Sequence, residues 1–168
     1  MKRTTVSLLL FMFVFSFLAG VAQAADKFAY IELRRIFDEY SKTKDYDKVL
    51  EQKESAYSGE RDKKVNEIKQ IQDKIGLLSD KEKNAKSGDL QTKIKVLQET
   101  DRQKLADLRK ESNEKRVEIM KDIEAAIKAY SEKEGYTVVF NEVGVLYNVK
   151  SLDITDKVLD VLNKGYKR

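Results

Sequence analysis

The side chains that most often carry chemistry in proteins are scarce in this sequence. None of the 168 residues is cysteine and none is histidine. Thiolate metal sites, cysteine nucleophiles and the commonest general base are therefore excluded. Carboxylate-only or Ser-Lys chemistry remains open in principle, but no Gly-rich phosphate loop and no isolated acidic cluster accompanies it. The sequence therefore predicts a protein that is not an enzyme and that requires no cofactor or metal.

The residues best suited to binding lie near the middle of the chain. In the stretch KIGLLSD, Leu77 lies off the apolar spacing of its neighbours, so we expect it to be exposed. Residues 81–95 have a local charge excess of +3, which comes from five lysines: Lys81, Lys83, Lys86, Lys93 and Lys95. These six side chains are candidates for loose contact with a partner. The alternatives are an ordinary surface leucine and solvated lysines near a turn.

The first 24 residues have the pattern of a secretory signal peptide. Lys2 and Arg3 form a basic start, an apolar run occupies residues 6–21, and the small-x-small sequence AQA ends at Ala24. Cleavage after Ala24 would export a mature chain of residues 25–168. The alternative is an uncleaved membrane anchor, although the run falls short of the ~20 residues of a usual span.

The mature chain is almost neutral. Loss of the two basic leader residues lowers the net charge from +4 to +2, which disfavours a nucleic-acid partner. An exported chain without cysteine also has no disulfides to stabilise it, so noncovalent packing must hold the fold together.

Residues 41–133 have the character of a long helical hairpin. Residues 41–130 contain 41 charged residues and no proline, which favours uninterrupted helix. A first apolar seam is formed by Leu50, Tyr57, Ile68, Ile71, Ile75 and Leu78. A second is formed by Leu90, Ile94, Leu97, Leu105, Leu108, Ile119, Ile123, Ala126 and Tyr130, with breaks at Asp101, Ser112 and Arg116. This spacing predicts two antiparallel coiled-coil helices.

The turn of this hairpin is predicted at residues 79–89. The segment SDKEKNAKSGD is apolar only at Ala85 and contains Ser, Asn and Gly. Ser87 or Asp89 would cap the second helix. Each arm helix of roughly 40 residues would extend about 60 Å into water.

The two ends of the chain, residues 26–40 and 134–168, are predicted to form a small α+β body at the root of the arm. DKFAYIEL at 26–33, YTVVFN at 136–141 and VGVLYN at 143–148 have the composition of strands, and a short helix follows Asp153. The strand side chains assigned to assembly are Phe28, Tyr30, Val138, Phe140, Val145 and Tyr147. A body of about 50 residues rarely holds itself together, so we expect several chains to pool their strands in a homo-oligomer. Packing of the same side chains within one chain remains the alternative.

The order of these segments resembles the Skp/OmpH family of periplasmic chaperones. The resemblance rests on KFAYIELRRIFDEYSKTKDY at the mature start and on GYTVVFNEVGVLYNVKSLDITDKVLDVLN at the end. It implies a homotrimer with a shared barrel-like body and three arms around a cavity. It also implies an ATP-independent holdase that shelters unfolded outer-membrane β-barrel proteins in the periplasm.

Two other functions remain open on the sequence. One is a structural coiled-coil tether in the cell envelope, and the other is binding of anionic surfaces such as lipopolysaccharide through the arm tips. The lipopolysaccharide patch of the family cannot be matched residue by residue here.

Overall fold

The computed structural model describes residues 26–167. In chain order the elements are β1 (Phe28–Ile31), α1 (Leu33–Glu39), α2 (Ser41–Gly76), α3 (Asp80–Glu134), β2 (Val138–Asn141) and α4 (Thr155–Gly165), with 3-10 turns at Glu142–Gly144 and Lys150–Leu152. The predicted α+β class is confirmed, with a small sheet and two long helices. The signal peptide predicted for residues 1–24 lies outside the described residues.

The hairpin is the crossover between two parallel strands. β1 and β2 pair in parallel, with Phe28 opposite Val138 and Tyr30 opposite Phe140. The other edge of β1 forms a bridge from Tyr30 to Asp153, and the Ile154 N–H donates to the Tyr30 carbonyl at 3.0 Å. Both edges of β1 are therefore occupied.

The strand predicted at residues 143–148 is wrong. A 3-10 turn follows β2, and Val145 and Tyr147 lie in irregular structure. An alternating sequence forms a strand only where a free edge is within reach. The 3-10 turn at Glu142–Gly144 ends the extended backbone directly after β2, and within the described part of the chain the segment that follows pairs with neither β1 nor the open outer edge of β2. Leu146 and Tyr147 consequently project into solvent.

The core lies between the sheet, α1, α4 and the last turns of α3. Its buried residues are Ala29, Ile31, Ile36, Tyr40, Ile119, Ile123, Ala126, Ile154, Val158 and Leu162. Alternation along β1 sends Ala29 and Ile31 inward. Polar contacts also hold α4 in place: the Glu32 N–H donates to Thr155 Oγ1 at 2.9 Å, and Arg35 Nη2 lies 2.5 Å from Asp156 Oδ1. Because α3 contributes three of these core residues, this arm helix anchors the arm in the body.

α3 ends at Glu134 and is followed by Gly135. Gly135 adopts φ 74°, the left-handed conformation that ends many helices. Lys27 Nζ donates to the Glu134 carbonyl at 2.9 Å and lies 4.1 Å from the centroid of the Tyr136 ring. A cation at a helix C-terminus is electrostatically favourable, so β1 and the end of α3 stabilise one another.

The hairpin turn lies at residues 77–79 instead of extending across 79–89. The Ser79 N–H and hydroxyl both donate to the Glu82 carboxylate, at 3.3 and 2.5 Å, in a capping box. This cap starts α3 at Asp80, and the charged residues that follow are good helix formers. Ser87 lies inside α3, where its hydroxyl donates to the Lys83 carbonyl at 2.7 Å. Neither Ser87 nor Asp89 caps the helix.

Candidate functional site

The candidate functional site is formed by the surface of the arm and of the body. Between residues 26 and 167 no group of three or more carboxylates is arranged to hold a metal. The surfaces that remain are the arm and the outer face of the body.

An ion-pair cluster joins the two arm helices where they leave the body. Lys42 Nζ lies 2.7 Å from Glu118 Oε1 and 2.6 Å from Asp122 Oδ2. The Tyr40 hydroxyl donates to Asp122 at 3.3 Å, and Lys115 Nζ lies 2.7 Å from Glu118 Oε2. The cluster therefore links the start of α2 to α3 by ion pairs.

The charges in this cluster stabilise each other. The hydrogen bonds from Lys115 and Lys42 lower the pKa of Glu118 to about 2. Partial burial acts to lower the pKa of Lys42, but the hydrogen bonds to Asp122 and Glu118 outweigh it and raise that pKa above its usual value. Both groups are therefore charged at neutral pH.

A second polar contact crosses the hairpin midway along the arm. The Tyr57 hydroxyl donates to the Asp101 carboxylate, and Arg61 Nε lies 3.1 Å from Asp101 Oδ2. The hydrogen bond from Tyr57 lowers the pKa of Asp101, Arg61 lowers it further, and partial burial opposes both. We refer to Tyr57, Arg61 and Asp101 as the polar layer.

Sequence reasoning missed the polar layer. Asp101 is a break in the second apolar seam, and Arg61 lies in the first seam's gap between Tyr57 and Ile68. The two irregularities face each other in the folded hairpin. The two irregular positions could have indicated a polar contact across the hairpin. They do so only when the pairing of the two helices is known.

The apolar seam of the arm is only partly buried. Of the residues predicted for it beyond the body, Leu108 alone is buried, and Leu105 is 49% exposed. Two hollows of about 400 and 240 Å³ lie beside Tyr57 and Leu108 on the body side of the polar layer. One narrow helix pair cannot enclose its own seam, so the arm presents apolar surface between charges.

The tip exposes the predicted leucine and most of the predicted lysines. Leu77 is 88% exposed at the turn. Lys83 is half-buried, and the other four lysines, Lys81, Lys86, Lys93 and Lys95, are exposed.

The five lysines do not form a single patch. At 100° per residue, Lys86 and Lys93 point the same way and Lys83 lies nearby, whereas Lys81 and Lys95 project from the opposite side of α3. Within the described part of the chain, no ion pair joins Lys81, Lys86, Lys93 or Lys95 to a carboxylate.

Net positive charge is concentrated in the outer half of the arm. Residues 63–95 hold nine lysines and five acidic residues, which gives +4. Residues 25–168 together carry +2, so the residues of that range outside 63–95 carry −2. Among the described residues, the ion pairs found across the hairpin, at Lys42, Lys53 and Arg61, lie nearer the body. The net positive charge of the arm is therefore greatest toward its tip.

The outer face of the two-stranded sheet is apolar and uncovered. Phe28, Val138 and Phe140 are exposed on this face, and the rings of Phe28 and Phe140 are 6.3 Å apart. Tyr30 belongs to the same face by alternation but is buried at the bridge to Asp153. The exposed apolar residues continue into the loop after β2 as Val143, Leu146, Tyr147, Val149 and Leu152, with Val145 half-buried among them.

A comparison with known protein families identifies the family to which the chain belongs. The family model described as "Outer membrane protein (OmpH-like)" matches residues 27–162, which includes both the body and the whole arm. The chain therefore belongs to the OmpH-like family, and the resemblance carried by its two terminal motifs is confirmed.

Relatives with chaperone names and a solved structure agree with this assignment. The chain is 28% identical over 141 residues to "Chaperone protein Skp" of Pectobacterium atrosepticum, covering 82% of this chain and 86% of the relative. It is also 28% identical over 148 residues to the protein of the same name from Photorhabdus luminescens, covering 86% and 89%. A crystal structure of an OmpH-like protein from Caulobacter crescentus CB15 superposes with a TM-score of 0.79 at 13% identity, covering 87% of this chain and 89% of that one. That structural likeness concerns the fold.

Proposed function

We propose that this protein is an ATP-independent holdase that binds unfolded outer-membrane β-barrel proteins and keeps them from aggregating. The observation that carries the proposal is the arm, in which helices of 36 and 55 residues leave their seam partly open between charges of both signs. Such a surface offers many weak contacts instead of one tight site, and their combined effect can hold a client without any strong single interaction. The names of the Skp relatives support the same function, which is not enzymatic.

The proposal places several arms around one client. The uncovered face of the sheet and the loop after β2 expose apolar side chains that would be covered in a homotrimer, as the family resemblance implies. Large exposed apolar patches commonly mark interaction sites. Phe28, Val138, Phe140, Val145 and Tyr147 remain the predicted assembly residues, whereas Tyr30 contributes to packing within the chain.

The periplasm is the proposed location. This rests on the leader pattern that ends at Ala24, together with the chaperone relatives. None of the helices between residues 26 and 167 combines the length and apolar character of a membrane span.

A dilution assay tests the holdase. A urea-unfolded outer-membrane β-barrel protein is diluted into buffer with and without the purified chain of residues 25–168, and light scattering is followed in the absence of ATP. We expect suppressed scattering and a complex whose mass equals three chains and one client. Undiminished scattering from a folded oligomer would contradict the holdase and favour the structural tether.

A second candidate function is binding of anionic surfaces such as lipopolysaccharide through the tip. The charge of +4 in residues 63–95 and the unpaired state of Lys86 and Lys93 favour it. The test is sedimentation with vesicles containing anionic lipid, compared with neutral vesicles, at low and high salt. Exposed charges are strongly screened at high ionic strength, so we expect binding to anionic vesicles that high salt abolishes. Equal binding to neutral vesicles would contradict this second function.

A further inference from the structure

We propose that the polar layer of Tyr57, Arg61 and Asp101 fixes the pairing register of the arm, so that the two helices form one hairpin among several that the apolar seam alone would permit. This inference concerns the arm itself and holds whether or not the arm binds a client.

The apolar seam leaves the register open. On α2, Ile68 and Ile75 are seven residues apart, and Leu78 in the turn lies seven residues after Ile71; on α3, Leu90 is seven residues from Leu97. A heptad repeat presents the same kind of residue again after a slip of seven. The seam would therefore meet apolar residues in a neighbouring register as well.

The turn does not forbid such a slip. A slip of one heptad moves the turn by three or four residues, from 77–79 into residues 79–89. That segment has Ala85 as its only apolar residue and contains Ser, Asn and Gly, which are residue types favoured in turns and loops. The same composition predicted a turn there from the sequence. The capping box at Ser79 favours the observed turn, by about 1 kcal/mol for a typical cap.

The polar layer distinguishes the two registers. Asp101 is only 23% exposed on its side chain, and it accepts hydrogen bonds from Tyr57 and Arg61 on the opposite helix. After a slip of seven in the direction that lengthens α2, Asp101 would face Lys64 and Ile68 instead, so one possible donor would replace two. The Tyr57 hydroxyl and Arg61 would face Leu108 and lose their carboxylate acceptor, which disfavours this register.

The opposite slip is disfavoured even more. It would bring Asp101 to Leu50 and Glu54, so that one carboxylate approaches another. Polar residues within coiled-coil seams select a register in this way at some expense of stability. The hollows beside Tyr57 fit this view, since packing at the layer is not optimised for apolar burial.

The decisive experiment moves the carboxylate by one heptad. Exchanging Asp101 and Leu108 (D101L/L108D) keeps the composition and offers Tyr57 and Arg61 a carboxylate seven residues further along α3. Register is read from cysteine pairs, which are unique labels because the chain has no cysteine. Lys53 and Glu111 are in contact in the present register, so K53C/E111C reports it. E60C/E111C reports the slipped register, which is displaced by about 10 Å.

A thiol-specific cross-linker much shorter than that displacement is used on the mature chain, and the product within one chain is quantified. In the native sequence we expect the 53–111 product to exceed the 60–111 product about tenfold or more. In the exchange variant we expect the ratio to invert. The matched control exchanges Val96 and Glu99 (V96E/E99V), which are both exposed on α3, and it should keep the native ratio. A native ratio in the exchange variant would overturn the proposal.

If the exchange variant loses its helical circular dichroism and so does not fold, a second variant tests the proposal. Replacing the layer with apolar residues (Y57F/R61L/D101L) removes the selectivity without burying a new charge. We expect the 60–111 product to appear within about fivefold of the 53–111 product, the preference that the remaining cap supplies, with an unfolding midpoint no lower than that of the parent. Exclusive formation of the 53–111 product would show that the cap and the body set the register, and it would overturn the proposal equally well.

Discussion

Lys42 shows how single residues tie the arm to the body. Its ammonium group contacts Glu118 and Asp122 of α3 at 2.7 and 2.6 Å, immediately beside the buried residues Ile119 and Ile123. The charged cluster therefore continues the apolar core outward along the arm. Removing one partner leaves the others without their counter-charge, so we expect the effect to be larger than that of an isolated surface pair.

Substitution of Glu118 tests the cluster through its pH dependence. Because the folded chain lowers the pKa of Glu118 from 4.5 to about 2, its contribution is fully present above about pH 4.5 and is lost as the pH falls toward 2. We expect E118Q to lower the free energy of unfolding at pH 7 by about 1 kcal/mol or less, since solvent screens this half-exposed group. Urea unfolding at fixed protein concentration measures the difference.

The matched control is Glu99→Gln, which removes an exposed pair with Arg102 within α3. We expect a negligible change at any pH. If the difference between E118Q and the parent were as large at pH 2 as at pH 7, the cluster would not stabilise the fold through the charge of Glu118.

Ile123 tests whether the end of α3 belongs to the body. Its side chain is fully buried in the core, so Ile123→Ala should lower the free energy of unfolding by about 2–5 kcal/mol. Val117→Ala is the matched control on the same helix, because Val117 is 56% exposed. Urea unfolding should give a change of about 0.5 kcal/mol or less for the control. Equal effects would mean that Ile123 is not packed as described.

At the scale of whole elements, the N-terminal cap of α3 at Ser79 determines where the hairpin turns. Composition predicted a turn over residues 79–89, yet the sequence S-D-K-E at 79–82 is a recognisable capping box. The cap gives the first turn of α3 its hydrogen-bond partners, and Gly88 is tolerated inside the helix. The turn could therefore have been placed from the sequence by weighing this local signal above the polar composition of the segment.

Ser79→Ala tests this placement directly. Loss of the cap should cost about 1 kcal/mol locally, so amide hydrogen exchange in the first turn of α3 should become several-fold faster. Ser87→Ala is the control, because Ser87 contacts a carbonyl of its own helix, and its removal should leave that exchange unchanged. Faster exchange in S87A but not in S79A would instead support the turn predicted from composition.

Other features of the elements were less accessible to sequence reasoning. Heptad spacing predicted the two long helices because proline is absent and the apolar positions recur regularly. The register could not be predicted, because the pairing brings Asp101 to Tyr57 and Arg61, which lie 44 and 40 residues earlier in the chain. Residues 143–148 alternate like a strand, but alternation does not reveal whether a free edge lies within reach.

At the scale of the whole molecule, the exposed face of the sheet is the feature that the single chain leaves unexplained. Phe140→Glu should break assembly, because a charge would be buried where an apolar contact is expected. We expect the dissociation constant of the oligomer to rise at least tenfold, measured as mass against concentration. Val96→Glu, which places the same charge on an exposed site of the arm, should leave the mass unchanged. An unchanged mass for F140E would remove this face from the interface.

The central claim is that the arms, rather than the body, hold the client. The most direct measurement deletes the outer arm, residues 62–100, and replaces it with a short Gly-Ser turn, so that the body core and the Lys42 cluster remain. Light scattering of a diluted, urea-unfolded outer-membrane protein is then compared with and without the shortened chain. The account predicts an oligomer of unchanged subunit number that no longer suppresses scattering. Full suppression by the shortened oligomer would contradict it.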